Sequence, residues 1–178
     1  MTTEALKMLK GSGMTGLKID VKGDSETYEK YCGGVSIDFV WRNARDAKNM
    51  GVHVEIVNLV VTGASDSDSC LESVISRHIK EVGTETPWHF TRYCPAYQFR
   101  NPPTKVETLE NAYEMAKRAG VAYPYIGNVL GHRYENTYCP NCGEPLVKRV
   151  GYAVVRYNLT AMNECPKCRA GIPVTGRY

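Results

Sequence analysis

Two CPxC turns carry the most openly declared chemistry in this sequence, Cys139-Pro140-Asn141-Cys142 and Cys165-Pro166-Lys167-Cys168. Two cysteines separated by two residues can aim both sulfurs at one ion when the backbone turns between them, and two such turns face to face complete a tetrahedral shell of thiolates. Zinc is the default occupant, and iron in the same S4 geometry is the alternative. Four thiolates leave no open coordination position, so Cys139, Cys142, Cys165 and Cys168 read as a structural rather than a catalytic site. A disulfide framework is the competing reading. Paired CxxC motifs without secretory features weigh against it, as does the odd number of remaining cysteines, Cys32, Cys70 and Cys94. Between the pairs, the Val and Tyr content of Tyr152 to Tyr157 suits a strand, so a small ribbon with the metal at one end is expected.

The elements that precede this ribbon repeat a strand and a helix. With 178 residues, 43% hydrophobic and 23% charged, the chain can hold one fair-sized core and a small appendage. The net charge of +3 is too small, and Lys and Arg too dispersed, to point to nucleic acid. Met1-Thr2-Thr3-Glu4 lacks a basic and then apolar leader, and no stretch approaches the roughly 20 apolar residues of a membrane span. A cytoplasmic location with reduced thiols is the expectation.

Taken in order, residues 3 to 10 read as a helix capped by Thr2 or Thr3, with Leu6 and Leu9 inward and Gly11 as terminator. Gly16 to Val21 follows as a strand. Asp24 or Ser25 caps a brief helix carrying Tyr28 and Tyr31, and Ser36 opens a longer one with Ile37, Val40, Trp41, Ala44 and Ala47 on one face. Val54 to Val61 is almost continuously apolar, as in a strand of a parallel sheet buried on both faces. After the turn Gly63 to Asp68, a helix aligns Leu71, Val74, Ile75, His78, Ile79 and Val82. Trp88 to Tyr93 is the third strand. Thr104-Lys105-Val106-Glu107 has the form of a capping box, opening a helix with Val106, Leu109, Tyr113 and Ala116 inward, and Tyr123 to Val129 makes a fourth strand.

The strand starts lie about 35 residues apart, the length of one βα unit with a parallel crossover. Either part of a TIM-like barrel or an open doubly wound sheet would give this pattern. Four strands after a lone helix are too few to close a barrel, so the chain reads as the C-terminal part of something larger. The expected division is a βα region over 1–130 and a four-cysteine ribbon over 131–178.

In such arrays working residues sit at the C-terminal ends of strands and in the loops beyond them. That selects Asp20 and Lys22, Asn58 and Thr62, Arg92 and Tyr93, and Asn128. Asp20 and Lys22 lie two apart on a strand and therefore on one side, as a ligand pair for amine or hydroxyl and carboxylate, or as an internal ion pair. Glu55, early in its strand, reads as a partner for Lys or Arg, and His78 and His89 as hydrogen-bonded core histidines. The aromatic loop Tyr93 to Phe99 has two readings, a ligand cover or a packed Ω-like loop.

Leu17-Lys18-Ile19-Asp20-Val21-Lys22-Gly23, Leu59-Val60-Val61-Thr62-Gly63 with Ser65-Asp66, Trp88-His89-Phe90-Thr91-Arg92-Tyr93 with Pro95 and Tyr97, Tyr125-Ile126-Gly127-Asn128, and Glu135 to Gly143 resemble one family over nearly the whole chain. The resemblance is to the C-terminal half of radical S-adenosylmethionine enzymes similar to pyruvate formate-lyase activating enzyme, of the AmmeMemoRadiSam-system type. It implies an incomplete (βα) barrel, part of the radical SAM (βα)6 partial TIM barrel, with a zinc-ribbon-like subdomain. It implies that Asp20 and Lys22 contact S-adenosylmethionine, with Asn58, His89 and Arg92 facing the same cavity. In that family the cofactor, cleaved reductively at a [4Fe-4S] cluster, does the hard chemistry while the barrel orients it.

Two family features are absent. The sequence has no CxxxCxxC, the triad that holds the family's cluster, and no glycine-rich segment of the kind that binds the methionine amine. Cys94 stands where relatives often have His. Radical chemistry is therefore expected only together with a cluster-bearing N-terminal half, which makes that half, or self-association, the expected partner. The knuckle cysteines could alternatively hold a [4Fe-4S] cluster. The competing function is a zinc-ribbon interaction module on a βα scaffold that binds protein or RNA through Lys148, Arg149, Arg156 and Lys167.

Overall fold

The structure, a computed structural model, describes residues 1–174. Four parallel strands, β1 (Gly16–Val21), β2 (His53–Val60), β3 (Trp88–Arg92) and β4 (Pro124–Gly127), form one sheet in the order β1-β2-β3-β4. The order follows the sequence without reversal. A doubly wound sheet needs a switch point where strand order reverses, so the arrangement is that of an unclosed barrel segment. Five helices accompany it: α1 (Thr3–Gly11), α2 (Ser25–Tyr31), α3 (Asp38–Asn49), α4 (Asp68–Val82) and α5 (Val106–Arg118). A second, antiparallel sheet of β5 (Thr137–Tyr138), β6 (Pro145–Val150) and β7 (Ala153–Tyr157) forms the expected ribbon.

The main core lies between the sheet and its helices. Trp41, Ala44 and Ala47 of α3, Leu71, Val74 and Ile75 of α4, and Leu109, Ala112 and Ala116 of α5 pack with Ile56, Trp88, Phe90 and Ile126. Within it the His78 ring stacks on Trp88 at 4.4 Å, and Trp88 on Phe90 at 4.9 Å. Burial alternates strictly along β2: Val54, Ile56, Asn58 and Val60 are buried, while His53, Glu55, Val57 and Leu59 are only half-buried. This corrects the expectation of a strand buried on both faces. Helices cover one face, and the other is open.

Local signals hold where the side chain has no competing partner. Thr2, Asp24 and Ser67 each accept a hydrogen bond from a first-turn backbone N–H, capping α1, α2 and α4. Thr104 does not cap α5. Its hydroxyl donates to the Val60 carbonyl at 2.6 Å and accepts from Tyr93 N–H at 3.0 Å, tying together the ends of β2 and β3. The fourth strand stops at Gly127 rather than Val129 because Asn128 takes a left-handed φ of 61°. The aromatic loop is packed upon itself: Tyr93 donates to the Phe99 carbonyl, and the rings of Tyr93 and Tyr31 meet Phe99 edge-on. No helix among the described residues is long and apolar enough to cross a membrane.

Candidate ligand cleft and metal centre

The uncovered face of the sheet carries a cleft of about 880 Å³. Period-2 alternation places Lys18 and Asp20 of β1 and Lys22 just beyond it, Glu55, Val57 and Leu59 of β2, His89 and Thr91 of β3, and Tyr125 of β4 along its wall. Gly127 completes the row without a side chain, since a Cβ there would come within 2.8 Å of the Thr91 methyl. Arg149, Gly151 and Tyr152, at the turn between β6 and β7, contribute from the ribbon side.

At the C-terminal end of β1, Lys22 Nζ lies 3.2 Å from Asp20 Oδ1, with the two side chains 42% and 61% exposed. The pair therefore holds itself together while both members remain open to a ligand. Tyr28 fixes its backbone, accepting from Lys22 N–H and donating to the Asp20 carbonyl. Deeper in the cleft, Glu55 sits between two histidines, with Oε1 3.2 Å from His53 Nε2 and Oε2 3.1 Å from His89 Nε2. The partners of Glu55 are thus histidines, not the Lys or Arg expected from its position. The His89 hydrogen bond holds the Glu55 carboxyl down at about 2, prevailing over burial, and His53 adds to it. The His89 ring stacks on Tyr125 at 4.9 Å.

Asp20, Lys22 and His89 share this face, whereas Asn58 and Arg92 do not. Asn58 has the parity of Ile56 and Val60, is 1% exposed on the helix-covered side, and donates to the Val21 carbonyl at 2.8 Å. Arg92 has the parity of Trp88 and Phe90, and its Nε donates to the Thr104 carbonyl at 2.9 Å. Counting back from the apolar residues would have found both. Lys18, Thr91 and Tyr125 are legible in the same way, but Arg149 and Tyr152 enter the wall through tertiary placement that no local pattern announces.

In the ribbon the four Sγ atoms of Cys139, Cys142, Cys165 and Cys168 lie within 4.8 Å of one another. The separations Cys139–Cys168 and Cys142–Cys165 are 3.5 and 3.7 Å. Metal–sulfur bonds of about 2.3 Å in a tetrahedron put sulfurs about 3.8 Å apart, so the set fits one zinc-sized ion. Both spacings far exceed the ~2.05 Å of a disulfide, and the cysteines are free thiols. The two turns repeat one backbone pattern. Cys139 N–H bonds the Glu144 carbonyl and Gly143 N–H the Cys139 carbonyl; Cys165 N–H bonds Ala170 and Arg169 N–H bonds Cys165 in the same way. The position after each pair is left-handed, with φ of 74° at Gly143 and 63° at Arg169. Hydrogen bonds from the Asn141 side chain and the Ala170 backbone bring the Cys168 thiol down to about 6, towards the thiolate a metal requires.

The ribbon is joined to the wall of the cleft. The Tyr125 and Thr137 hydroxyls lie 3.0 Å apart, and Arg149 Nη1 donates to Thr137 Oγ1 at 2.8 Å and to the Glu135 carbonyl at 3.3 Å. Tyr123 joins Cys139, Leu146, Val147, Cys165 and Ile172 in a second apolar cluster.

No family model matches the chain. It is 40% identical over 162 residues to an uncharacterized protein of Methanocaldococcus jannaschii, a match covering 90% of this chain and 48% of the relative. The chain thus spans about half the length of that relative. Among solved structures it is similar to a domain of pyruvate-formate lyase-activating enzyme from Bacteroides vulgatus, with a TM-score of 0.60 and 15% identity over 71% of this chain and 75% of that one. The chain has the α/β fold of that domain: an unclosed parallel sheet, helices on one face, and beyond it a four-cysteine cluster suited to a metal such as zinc.

Proposed function

We propose that this chain supplies part of the cofactor-binding barrel of a radical S-adenosylmethionine enzyme. Asp20 and Lys22 would contact the methionine moiety of the cofactor, and a [4Fe-4S] cluster would be held by a CxxxCxxC segment outside this sequence. The ribbon, with Cys139, Cys142, Cys165 and Cys168 around zinc, is a structural unit in this reading, and residues 1–130 and 131–178 are its two parts. The observation that carries the proposal is the position of the Asp20–Lys22 pair: at the C-terminal end of β1, exposed, and on the wall of an open cleft in a sheet of this fold. The fold comparison and the strand motif support it together. Among the described residues no group of three ligating side chains lies on the wall beside that pair, so the bond-breaking chemistry would come from the bound cofactor and cluster, while the chain binds and orients. Among the described residues β1 pairs only with β2, leaving one edge able to accept a strand of the remaining barrel or of a second copy.

The test is metal analysis with an absorption spectrum on anaerobically purified protein, before and after mixing with a chain that carries CxxxCxxC. The expected result is about one zinc per chain and no iron–sulfur absorbance until the second chain is added. Asp20→Asn with Lys22→Ala then weakens S-adenosylmethionine binding to the assembled pair by about tenfold or more. An iron–sulfur band in this chain alone overturns the assignment and moves the cluster to the ribbon cysteines.

A further inference from the structure

We propose that His89 and Glu55 form a proton-transfer pair for a hydroxyl-bearing anionic small molecule bound on the uncovered face of the sheet. A carboxylate only accepts, so the 3.1 Å contact between Glu55 Oε2 and His89 Nε2 puts a hydrogen on Nε2. When the ring is neutral, the lone pair is then on Nδ1. Among the described residues Nδ1 has no partner, and the His89 side chain is 25% exposed on the wall of the cleft. Stacking on Tyr125 fixes the plane of the ring, and the carboxylate fixes its rotation.

The other histidines show how particular this arrangement is. His78 is fully buried, with Nε2 on the Thr86 carbonyl. His132 has both nitrogens engaged, Nε2 with Glu110 and Nδ1 accepting from Tyr134 N–H. His53 shares Glu55 but lines a smaller cavity between the sheet and the ribbon, which adjoins the cleft at Glu55, Tyr125 and Arg149. Only His89 combines a carboxylate-fixed tautomer, a second nitrogen free to react and a place in the large cleft.

The neighbouring charges indicate the kind of ligand. Lys18 stands in register with Glu55, is exposed, and has no ion-pair partner among the described residues. The Arg149 guanidinium lines the same wall, held by Nη1. Of the other charges on this wall, Lys22 pairs with Asp20, Glu55 with the histidines, and Glu135 accepts from Gly131 and Gly151 N–H, which leaves Lys18 and Arg149 as cations without an ion-pair partner among the described residues, a setting that suits an anion with an adjacent hydroxyl. In the step, an N–H bond forms at His89 Nδ1 as the ligand O–H bond breaks. The electron pair stays on the ligand oxygen, and the imidazolium charge is balanced by Glu55. Glu55 acts through His89 and is a positioning residue.

The inference rests on the reading of this face as a ligand site but not on the identity of the cofactor, and its test uses no S-adenosylmethionine. Diethyl pyrocarbonate acylates an unprotonated imidazole nitrogen, and mass spectrometry of the four histidine peptides of the full chain gives the rate at each. His89 and His53 react before His132 and His78. Glu55→Gln slows His89 by about fivefold, as expected when a base loses its carboxylate partner. Lactate, a small hydroxyl-bearing anion, protects His89 by about threefold or more and leaves His53 unprotected, and Lys18→Ala, an exposed substitution, abolishes that protection. Nitrogen NMR of the imidazoles shows a single His89 tautomer in the wild type and a mixture in Glu55→Gln. A mixed tautomer in the wild type, an unreactive His89, or equal lactate effects on His89 and His53 overturns the proposal. Loss of S-adenosylmethionine binding with these results intact overturns only the cofactor assignment.

Discussion

The two faces of the parallel sheet are made from the same strands and obey opposite rules. On the helix-covered face Trp88, Phe90, Ile56 and Ile126 are at most 2% exposed, and even Asn58 is shut in. On the other face Lys18, Asp20, Glu55, His89 and Thr91 stand in a row against an open cleft. On one face stability follows from area removed from water; on the other, what the residues can do follows from charge and hydrogen-bond geometry. The ribbon sheet meets the second face through Tyr125 and Arg149, while the segment leading into it packs on α5, with the Tyr134 ring stacked on Tyr113 at 3.7 Å.

The sharpest way to break this contrast is to remove the ribbon. Cys165→Ser, or chelation of bound metal, should melt the ribbon while leaving the helix-covered core folded, because a structural zinc supplies about 10 kcal/mol or more to a unit this small. Hydrogen exchange should show protection lost over 137–172 and kept over the helices. Collapse of both parts together would show that the two faces are not separable. Next in size, Trp88→Ala should cost about 3–5 kcal/mol by urea unfolding, against about 1 kcal/mol for Val57→Ala on the open face.

Acid should distinguish the faces by pH window. Burial pushes His78 from 6.5 to about 4, so the fold holds it neutral. Below pH 6.5 the unfolded chain takes up a proton that the folded chain refuses. Stability therefore falls as pH drops from about 6.5 to about 4, by about 3 kcal/mol. Glu55 acts lower: its carboxyl is held at about 2, so its contribution is present above about 4.5 and lost as pH falls through about 2. Urea midpoints against pH should show the first loss in Glu55→Gln as well as in the wild type, and the second only in the wild type. The smallest effect expected is a gain. Arg169 occupies the left-handed position that glycine holds in the sister turn, so Arg169→Gly should stabilise the ribbon by about 0.5–1 kcal/mol, read as slower metal loss to a chelator. The Arg169–Glu164 ion pair that it removes, exposed on the Arg side but buried at Glu164 Oε2, opposes that gain.

Much of the fold was legible because each element declared itself by period: the inner stripe of α4 and the strand β1 came straight from residue spacing. The ligand shell of the ribbon was legible from two short motifs. What misled were positions with two possible partners. Thr104 looks like a cap and instead spans two strand ends, since an intact sheet offers it a carbonyl and an N–H at once. Nearness to strand ends selects Asn58 and Arg92 and the family resemblance points both into the cavity, although parity along the strand decides which way each side chain leaves the sheet. The place of Glu55 early in its strand suggests a Lys or Arg partner, while its histidine partners come from within β2 and from β3.

The order β1-β2-β3-β4 has one more consequence, for how the molecule is made. Each strand joins the edge left by the strand synthesised before it, so the sheet can assemble as the chain emerges, with no strand waiting for a later one to be inserted beside it. The metal shell obeys a different clock. Its last cysteine, Cys168, leaves the ribosome after every strand of both sheets, so a metal bound by all four thiols would join a chain whose strands have already been made.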